Sequence, residues 1–493
     1  MSLDFDPSSL SIPKGHHIGG RYIDFGGEPI EVRRPSDLQV MGTLEDGGEE
    51  AVEAAVQAAR QALKASNWSK IAPIERARVL TRFAELVEQR SLDLARLEAA
   101  NSTRLIAETT VRDAARTAGT IRFFAEYCDK LEGQTTQTQS GILSMVRPEP
   151  YGIVAAIVPW NFPMITAAWK FAPALAAGNA ILIKTSELTP YTLLLLAEIA
   201  TEAGLPKGLF NVVNGYGQTT GAALVRHRSI GKISFTGSTA TGVAIMTLAA
   251  SHGTKPVTLE LGGKSPQLIF ADNEDLDALA AKVAAGFMGN GGQVCTAGSR
   301  LIIQRKIADE LVEKIEARCR AITPGPTWRE ASDFPPIINE KQLARIDSLV
   351  QKTLAEGATA RVGGSRLETR NEGSFYAPTL LEGVTPEMTG YQEEFFGPIA
   401  SIHRFDEVEE GIAMADHPTY GLAASIFTTD IKKALLAAEQ IESGMVWVNQ
   451  NGRGPEFTFP AGGFKGSGFG KDMGRVGIET YTRQKAVWIN YAA

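Results

Sequence analysis

Three cysteines stand among the 493 residues, and one of them, Cys295, follows the run Gly289-Asn290-Gly291-Gly292 in the stretch 287–300. Glycines let a chain turn sharply and bring its backbone close to a ligand. A cysteine placed there presents its sulfur and its own N–H together. That suits a thiolate attacking a carbonyl, with the N–H receiving the oxyanion that results. The same stretch also fits a buried structural thiol beside a glycine turn, since cysteine is among the most buried residue types. A cysteine hydrolase would need a histidine base. The six histidines, His16, His17, His227, His252, His403 and His417, fall in no motif that supplies one.

Other candidates for chemistry lie upstream. Glu260 precedes Gly262-Gly263, where a carboxylate can face a cleft as a general base or can be a loop acid salt-bridged to Lys264. Gly237-Ser238-Thr239 follows an apolar run and opens a helical one, so its N–H groups can meet a pyrophosphate; alone, it is only a turn. Asn161, within Trp160-Asn161-Phe162-Pro163, reads by itself as a turn residue.

These residues need a frame. From Tyr151 the pattern alternates strand and helix, with strands expected at 153–158, 180–184, 210–213, 232–235 and 257–261. Their starts lie roughly 20–30 residues apart, the length of a βαβ unit. That predicts a parallel sheet covered by helices, with ligands at the carboxyl ends of its strands. After Pro266 the alternation resumes, with a strand at 267–270, a helix at 274–288, a strand at 300–304 and a helix at 308–322 that holds Cys319 as a structural thiol. Upstream, residues 1–48 read as loops and short strands. Val52, Val56, Ala59 and Leu63 mark one helix, and a second opens at Pro73 and buries Val79, Leu80, Phe83, Leu86 and Val87. A third spans 103–130, with Cys128 in the core. The polar segment 132–148 reads as a projecting hairpin arm, and the strand-like 481–491 as a segment pairing with the arm of a neighbouring copy.

Size and composition narrow the classes. The length predicts two or three domains. With 44% hydrophobic and 21% charged residues, a net charge of −7 and no long basic run, nucleic acid is not an expected partner. No apolar run approaches the roughly 18–20 residues that span a bilayer, and the N-terminal stretch lacks the apolar core of a signal peptide. Three cysteines without a spacing pattern predict a reducing compartment, with no disulfide and no metal site. The expected location is the cytoplasm.

Six motifs then occur in order: PWNFP at 159–163, KTSE at 184–187, FTGST at 235–239, ELGGKSP at 260–266, GQVCTA at 292–297 and EEFFGP at 393–398, followed by GGFKGSGFG at 462–470. With them the chain resembles the NAD(P)-dependent aldehyde dehydrogenase superfamily over nearly its whole length. The resemblance implies an α/β fold with a Rossmann-like parallel-sheet cofactor domain (1–130 and 149–261), a second α/β catalytic domain (262–475) and a small β oligomerisation arm (131–148 and 476–493). It implies a homodimer or homotetramer acting on a small-molecule aldehyde.

By the same resemblance Cys295 is the nucleophile, and the Asn161 amide and Cys295 N–H are the oxyanion donors. Glu260 activates the water that hydrolyses the thioester; relatives that pass the acyl group to coenzyme A generally lack this glutamate. The implied cofactor contacts are Lys184 and Glu187 at the adenosine ribose, Gly237 and Ser238 at the pyrophosphate, Glu394 and Phe396 at the nicotinamide ribose, and Trp160, to which no part of the cofactor is assigned. A carboxylate at Glu187 repels a 2′-phosphate, which favours NAD over NADP. Asp472 stands where many relatives carry a longer glutamate. Gly289 and Ala461 fall where many relatives have aromatic rings, which predicts a widened pocket walled by Phe162, Trp169, Phe457 and Phe459. A bulky or aromatic aldehyde follows. The alternative is a carboxylated semialdehyde, if Arg116 and Arg453 are an anion site rather than solvated surface residues.

Overall fold

The computed structural model describes every residue except Met1, 369–372, Arg453, Pro455 and Ala493, so the expectation for Arg453 lies outside the described residues. Five parallel strands, Ile153–Ile157, Ala180–Lys184, Phe210–Val213, Lys232–Thr236 and Val257–Glu260, form the middle of an eight-stranded sheet. Three of them, Ile153–Ile157, Ala180–Lys184 and Phe210–Val213, are buried at every position, as near-continuous apolar runs are when helices cover both faces. The chain builds outward from Ile153–Ile157 through the next two strands, then crosses back to lay Lys232–Thr236 against its other side. The order therefore reverses between Ile153–Ile157 and Lys232–Thr236, and ligands bind at the carboxyl ends beside such a reversal. Short antiparallel strands flank them, His16–Ile18 and then Arg21–Ile23 on one side and Gly468–Phe469 on the other.

A second, seven-stranded sheet runs in the order Thr359–Val362, Thr379–Glu382, Ile399–Phe405, Arg300–Gln304, Pro266–Ile269, Ala423–Phe427, Met445–Val448. It is parallel except at its Thr359–Val362 edge. The helices Leu276–Met288 and Arg305–Arg320 pack on it through Leu279, Val283, Phe287, Leu311 and Ile315. Cys319 is buried there, and Cys128 in the first core. No helix among the described residues is long and apolar enough to cross a membrane.

Two expectations are corrected. The helix expected over 103–130 runs only over 106–126, as Ile106–Glu108, a π turn at Thr109–Asp113 and Ala114–Glu126 in one unbroken run. Tertiary contacts hold residues 102–105 out of it. Arg104 is fully buried and pairs with Asp113 at 2.8 Å, while Ile106 N–H donates to the Thr327 carbonyl at 2.8 Å. The C-terminal strand, Thr482–Asn490, pairs with the arm strand Ile142–Pro150 of its own chain along its whole length, not with a neighbour's. Gln134–Thr136 completes this three-stranded sheet.

Candidate active site

The cysteine loop begins where the helix Leu276–Met288 stops. Asn290, Gly291 and Gly292 take φ of 52°, 61° and 69° in succession, turning the chain back on itself. Gly292 has no alternative, because a Cβ there would lie 2.1 Å from the Gly397 carbonyl oxygen. The next residue, Gln293, is fully buried and pins the loop. Its side-chain N–H groups donate to the Asn290 and Pro336 carbonyls, both at 3.0 Å, and its side-chain oxygen accepts from Ile338 N–H at 2.9 Å.

Asn161 approaches from the other sheet. It follows the strand Ile153–Ile157, just before Pro163 opens the helix Pro163–Ala176, and it is 5% exposed. Its Nδ2 donates to the Gln293 carbonyl at 2.9 Å, and Asn290 Nδ2 donates back to the Asn161 carbonyl at 3.2 Å. An amide NH2 carries two donors, so the bond to Gln293 fixes the group and leaves a second N–H for a ligand oxygen. Cys295 is half-buried and packs with Leu422, Met445, Trp447 and Ala461, with Trp169 and Phe459 beside them. Three of the expected pocket residues, Trp169, Phe459 and Ala461, thus share one apolar cluster with Cys295.

The electrostatics of this pocket favour the thiol. Burial pushes Cys295 up to about 12, and the negative charges of Glu394 and Glu260 push in the same direction. Glu260 ends its strand 7% exposed, with its carbonyl accepting from Gly237 N–H at 3.0 Å. Its carboxylate lies against Gly462, where a Cβ would come within 2.7 Å of Oε1. Lys264 is not its partner. The Lys264 ammonium donates to the Gly390 carbonyl at 2.7 Å and sits 4.6 Å from the centre of the Phe395 ring, with burial pulling it down to about 7. Glu394 reaches into the Gly262-Gly263 turn, accepting from Gly263 N–H at 3.1 Å. A Cβ on Gly262 would meet that carboxylate at 2.1 Å, and burial pushes Glu394 up to about 7.

Along the carboxyl ends of the first sheet the remaining residues form a donor set suited to ribose hydroxyls and phosphate. Lys184 is buried, with its ammonium 3.4 Å from Glu187. Ser238 caps the helix Thr239–Ser251, its hydroxyl accepting from Thr241 N–H at 3.3 Å, so this N-terminus and Gly237 face the switch point. The Trp160 and Phe396 rings, from the two sheets, meet edge-on at 5.3 Å.

Other expected residues fall nearby. Phe162 lies under the Arg104 guanidinium at 4.5 Å, and Gly289 is exposed with nothing within 4 Å of where a Cβ would stand. Arg116 donates to the Gly454 carbonyl at 2.9 Å. A groove of about 570 Å³ lined by Glu340, Asp347, Arg366 and Phe375 contains none of these residues.

Sequence reasoning missed Gln293 and Lys170. Lys170 is fully buried in the helix Pro163–Ala176 and pairs with Asp472, 1% exposed, at 2.5 Å. The signal was a lone lysine in an apolar helical run, which needs a buried anion. Asp472 also bonds Ala461 through both backbone groups, at 2.7 and 2.8 Å.

The model of the aldehyde dehydrogenase family matches residues 22–487. An aldehyde dehydrogenase of Aspergillus niger is 38% identical over 476 residues, 96% of this chain and 95% of the relative. Among solved structures, indole-3-acetaldehyde dehydrogenase in complex with NAD+ is 37% identical, with a TM-score of 0.95 and 98% of each chain covered. Gamma-glutamyl-gamma-aminobutyraldehyde dehydrogenase from Burkholderia cenocepacia J2315 is 39% identical, with the same TM-score and coverage.

Proposed function

The chain belongs to the aldehyde dehydrogenase family, and we propose that it oxidises a bulky, aromatic aldehyde to its carboxylic acid with NAD+. The observation that carries the reading is the Asn161–Gln293 bond, which brings an amide from one sheet onto the cysteine loop of the other. The Cys295 thiol loses its proton by way of Glu260 to solvent, and the thiolate adds to the aldehyde carbon. The oxyanion is received by the second Asn161 N–H and by the Cys295 N–H; losing one such donor typically costs about 10²–10³ in rate. Lys184, Glu187, the Gly237-Ser238 helix N-terminus, Trp160, Glu394 and Phe396 would hold NAD+, which supplies the acceptor for the hydride. With the C–H electron pair gone, the carbonyl re-forms as a thioester on Cys295. Glu260 then takes a proton from water, whose oxygen attacks the thioester and releases Cys295 and the acid.

The donor set fits the dinucleotide. The Glu187 carboxylate suits ribose hydroxyls and disfavours a 2′-phosphate, and Gly262 leaves room for Glu394 to enter the turn. The small side chain at Ala461, in the cluster that Cys295 packs on, supports a wide pocket. A structural relative named for indole-3-acetaldehyde, itself an aromatic aldehyde, supports the same substrate class. The first sheet is the cofactor domain and the second the catalytic domain. Exposed Trp488, Ile489 and Tyr491 on and just beyond the C-terminal strand support assembly into two or four copies through the arm.

The test is Cys295→Ala. It abolishes NADH formation, followed at 340 nm over a panel of aldehydes, while NAD+ binding persists because different residues hold it. Cys128→Ala and Cys319→Ala retain turnover. Oxidation by the Cys295 variant would overturn the assignment.

A further inference from the structure

Arg112, Arg116, Gly119 and Phe123 recur at helical spacing and share one face of the segment that leads into the helix Ala114–Glu126. Two aromatic rings connect that face to the surroundings of the cysteine loop. The Arg112 guanidinium lies 5.9 Å from the centre of the Phe162 ring, and Phe162 is the chain neighbour of Asn161. Phe123 stacks on Phe457 at 6.1 Å, and Gly119 leaves the space that the Phe457 ring fills. Phe457 in turn leads into Phe459 and Ala461, which pack with Cys295.

The charges on this wall do not cancel. Arg104 engages both Asp113 oxygens, at 2.8 and 3.1 Å, and Glu108 at 2.5 Å. Arg112 shares the same two carboxylates, at 3.2 and 3.7 Å. Glu98 is fully buried, and burial pushes it up to about 8, so at pH 7 it is mostly neutral. Three guanidinium groups therefore face two charged carboxylates. The surplus cation is Arg116: among the described residues no carboxylate oxygen lies within 4.0 Å of it, and its bond to Gly454 uses one of five N–H donors.

We infer that Arg116, backed by Arg112, forms a site for a carboxylate at the end of the aldehyde remote from its carbonyl. The inference rests on the proposed aromatic-aldehyde reading and narrows it. The planar guanidinium fork matches a carboxylate in a two-bond contact, and the partly enclosed wall strengthens the attraction over that in open water. Phe162, beneath the Arg104 guanidinium, and Phe457, stacked on Phe123, supply apolar surface for the ring of such a substrate.

The experiment compares 4-carboxybenzaldehyde, 4-formylbenzamide (nearly the same shape, uncharged) and benzaldehyde on the native enzyme, Arg116→Gln and Arg116→Lys. The native enzyme prefers the carboxylate over the amide by about tenfold or more in kcat/KM, expressed in KM. Arg116→Gln removes most of that preference while benzaldehyde turnover changes by less than about twofold, and Arg116→Lys restores part of it. Equal use of the acid and the amide by the native enzyme overturns the site, as does an Arg116→Gln loss equally large on benzaldehyde. Failure of the native enzyme on benzaldehyde and 4-carboxybenzaldehyde alike counts instead against the reading beneath it.

Discussion

The resting thiol of Cys295 can be titrated directly. Moving it from the ordinary 9.0 to about 12 disfavours the thiolate by about 4 kcal/mol, three pH units at 1.36 each. At pH 7 only about one site in 10⁵ carries the thiolate, so alkylation of the free enzyme by iodoacetamide should be slow and should rise about tenfold per pH unit through pH 9. Peptide mass mapping separates Cys295 from Cys128 and Cys319, which burial raises to about 11 and about 12. After burial, the first cause of the Cys295 shift is the charge of Glu394. That group is itself raised to about 7, so it is neutral below pH 7 and negative above it. Glu394→Gln should therefore accelerate labelling at pH 9 and leave it unchanged at pH 6. A labelling rate that levels off by pH 8 in the native enzyme would refute the reasoning. So would an acceleration by Glu394→Gln as large at pH 6 as at pH 9.

Glu260→Gln slows thioester hydrolysis more than acylation, so an acyl-enzyme accumulates and is seen by intact mass; undiminished steady-state turnover would assign the base elsewhere. The native enzyme favours NAD+ over NADP+ in kcat/KM, and Glu187→Ser narrows the gap by removing the repulsion of the 2′-phosphate, which paired kinetics on the two dinucleotides measure. Ala461→Phe places a ring against Cys295 and lowers kcat/KM for aromatic aldehydes by at least about tenfold relative to acetaldehyde; unaffected aromatic substrates would remove the wide-pocket argument.

Sequence pattern located the central strands to within a residue or so because they are apolar runs punctuated by turns; Ala180–Lys184 and Arg300–Gln304 match their expected limits at both ends. Cys295 and Glu260 stood out as candidates because each lies beside glycines at the end of an element, whereas Asn161 read alone as a turn residue and became a candidate only through the resemblance that the motifs carry. Features that depend on distant partners were not legible. Nothing local to 102–105 announces that Arg104 will be buried with Asp113, or that Ile106 will bond to Thr327, and so the helix start was placed too early. Lys170 meets its counterion 302 positions along the chain. The partner of Thr482–Asn490 was misassigned because strand character says nothing about which copy supplies the neighbouring edge.

The bridge between Ala461 and Asp472 bears on how substrate range can drift. Both of its hydrogen bonds are main-chain, so they are indifferent to which side chain residue 461 carries. The Asp472 carboxylate, pointing elsewhere, is committed to Lys170. The wall beside the nucleophile can thus change its bulk by single substitutions while the ion pair behind it keeps its geometry. A lineage carrying this bridge can explore aldehydes of different size one mutation at a time, without first repairing its core.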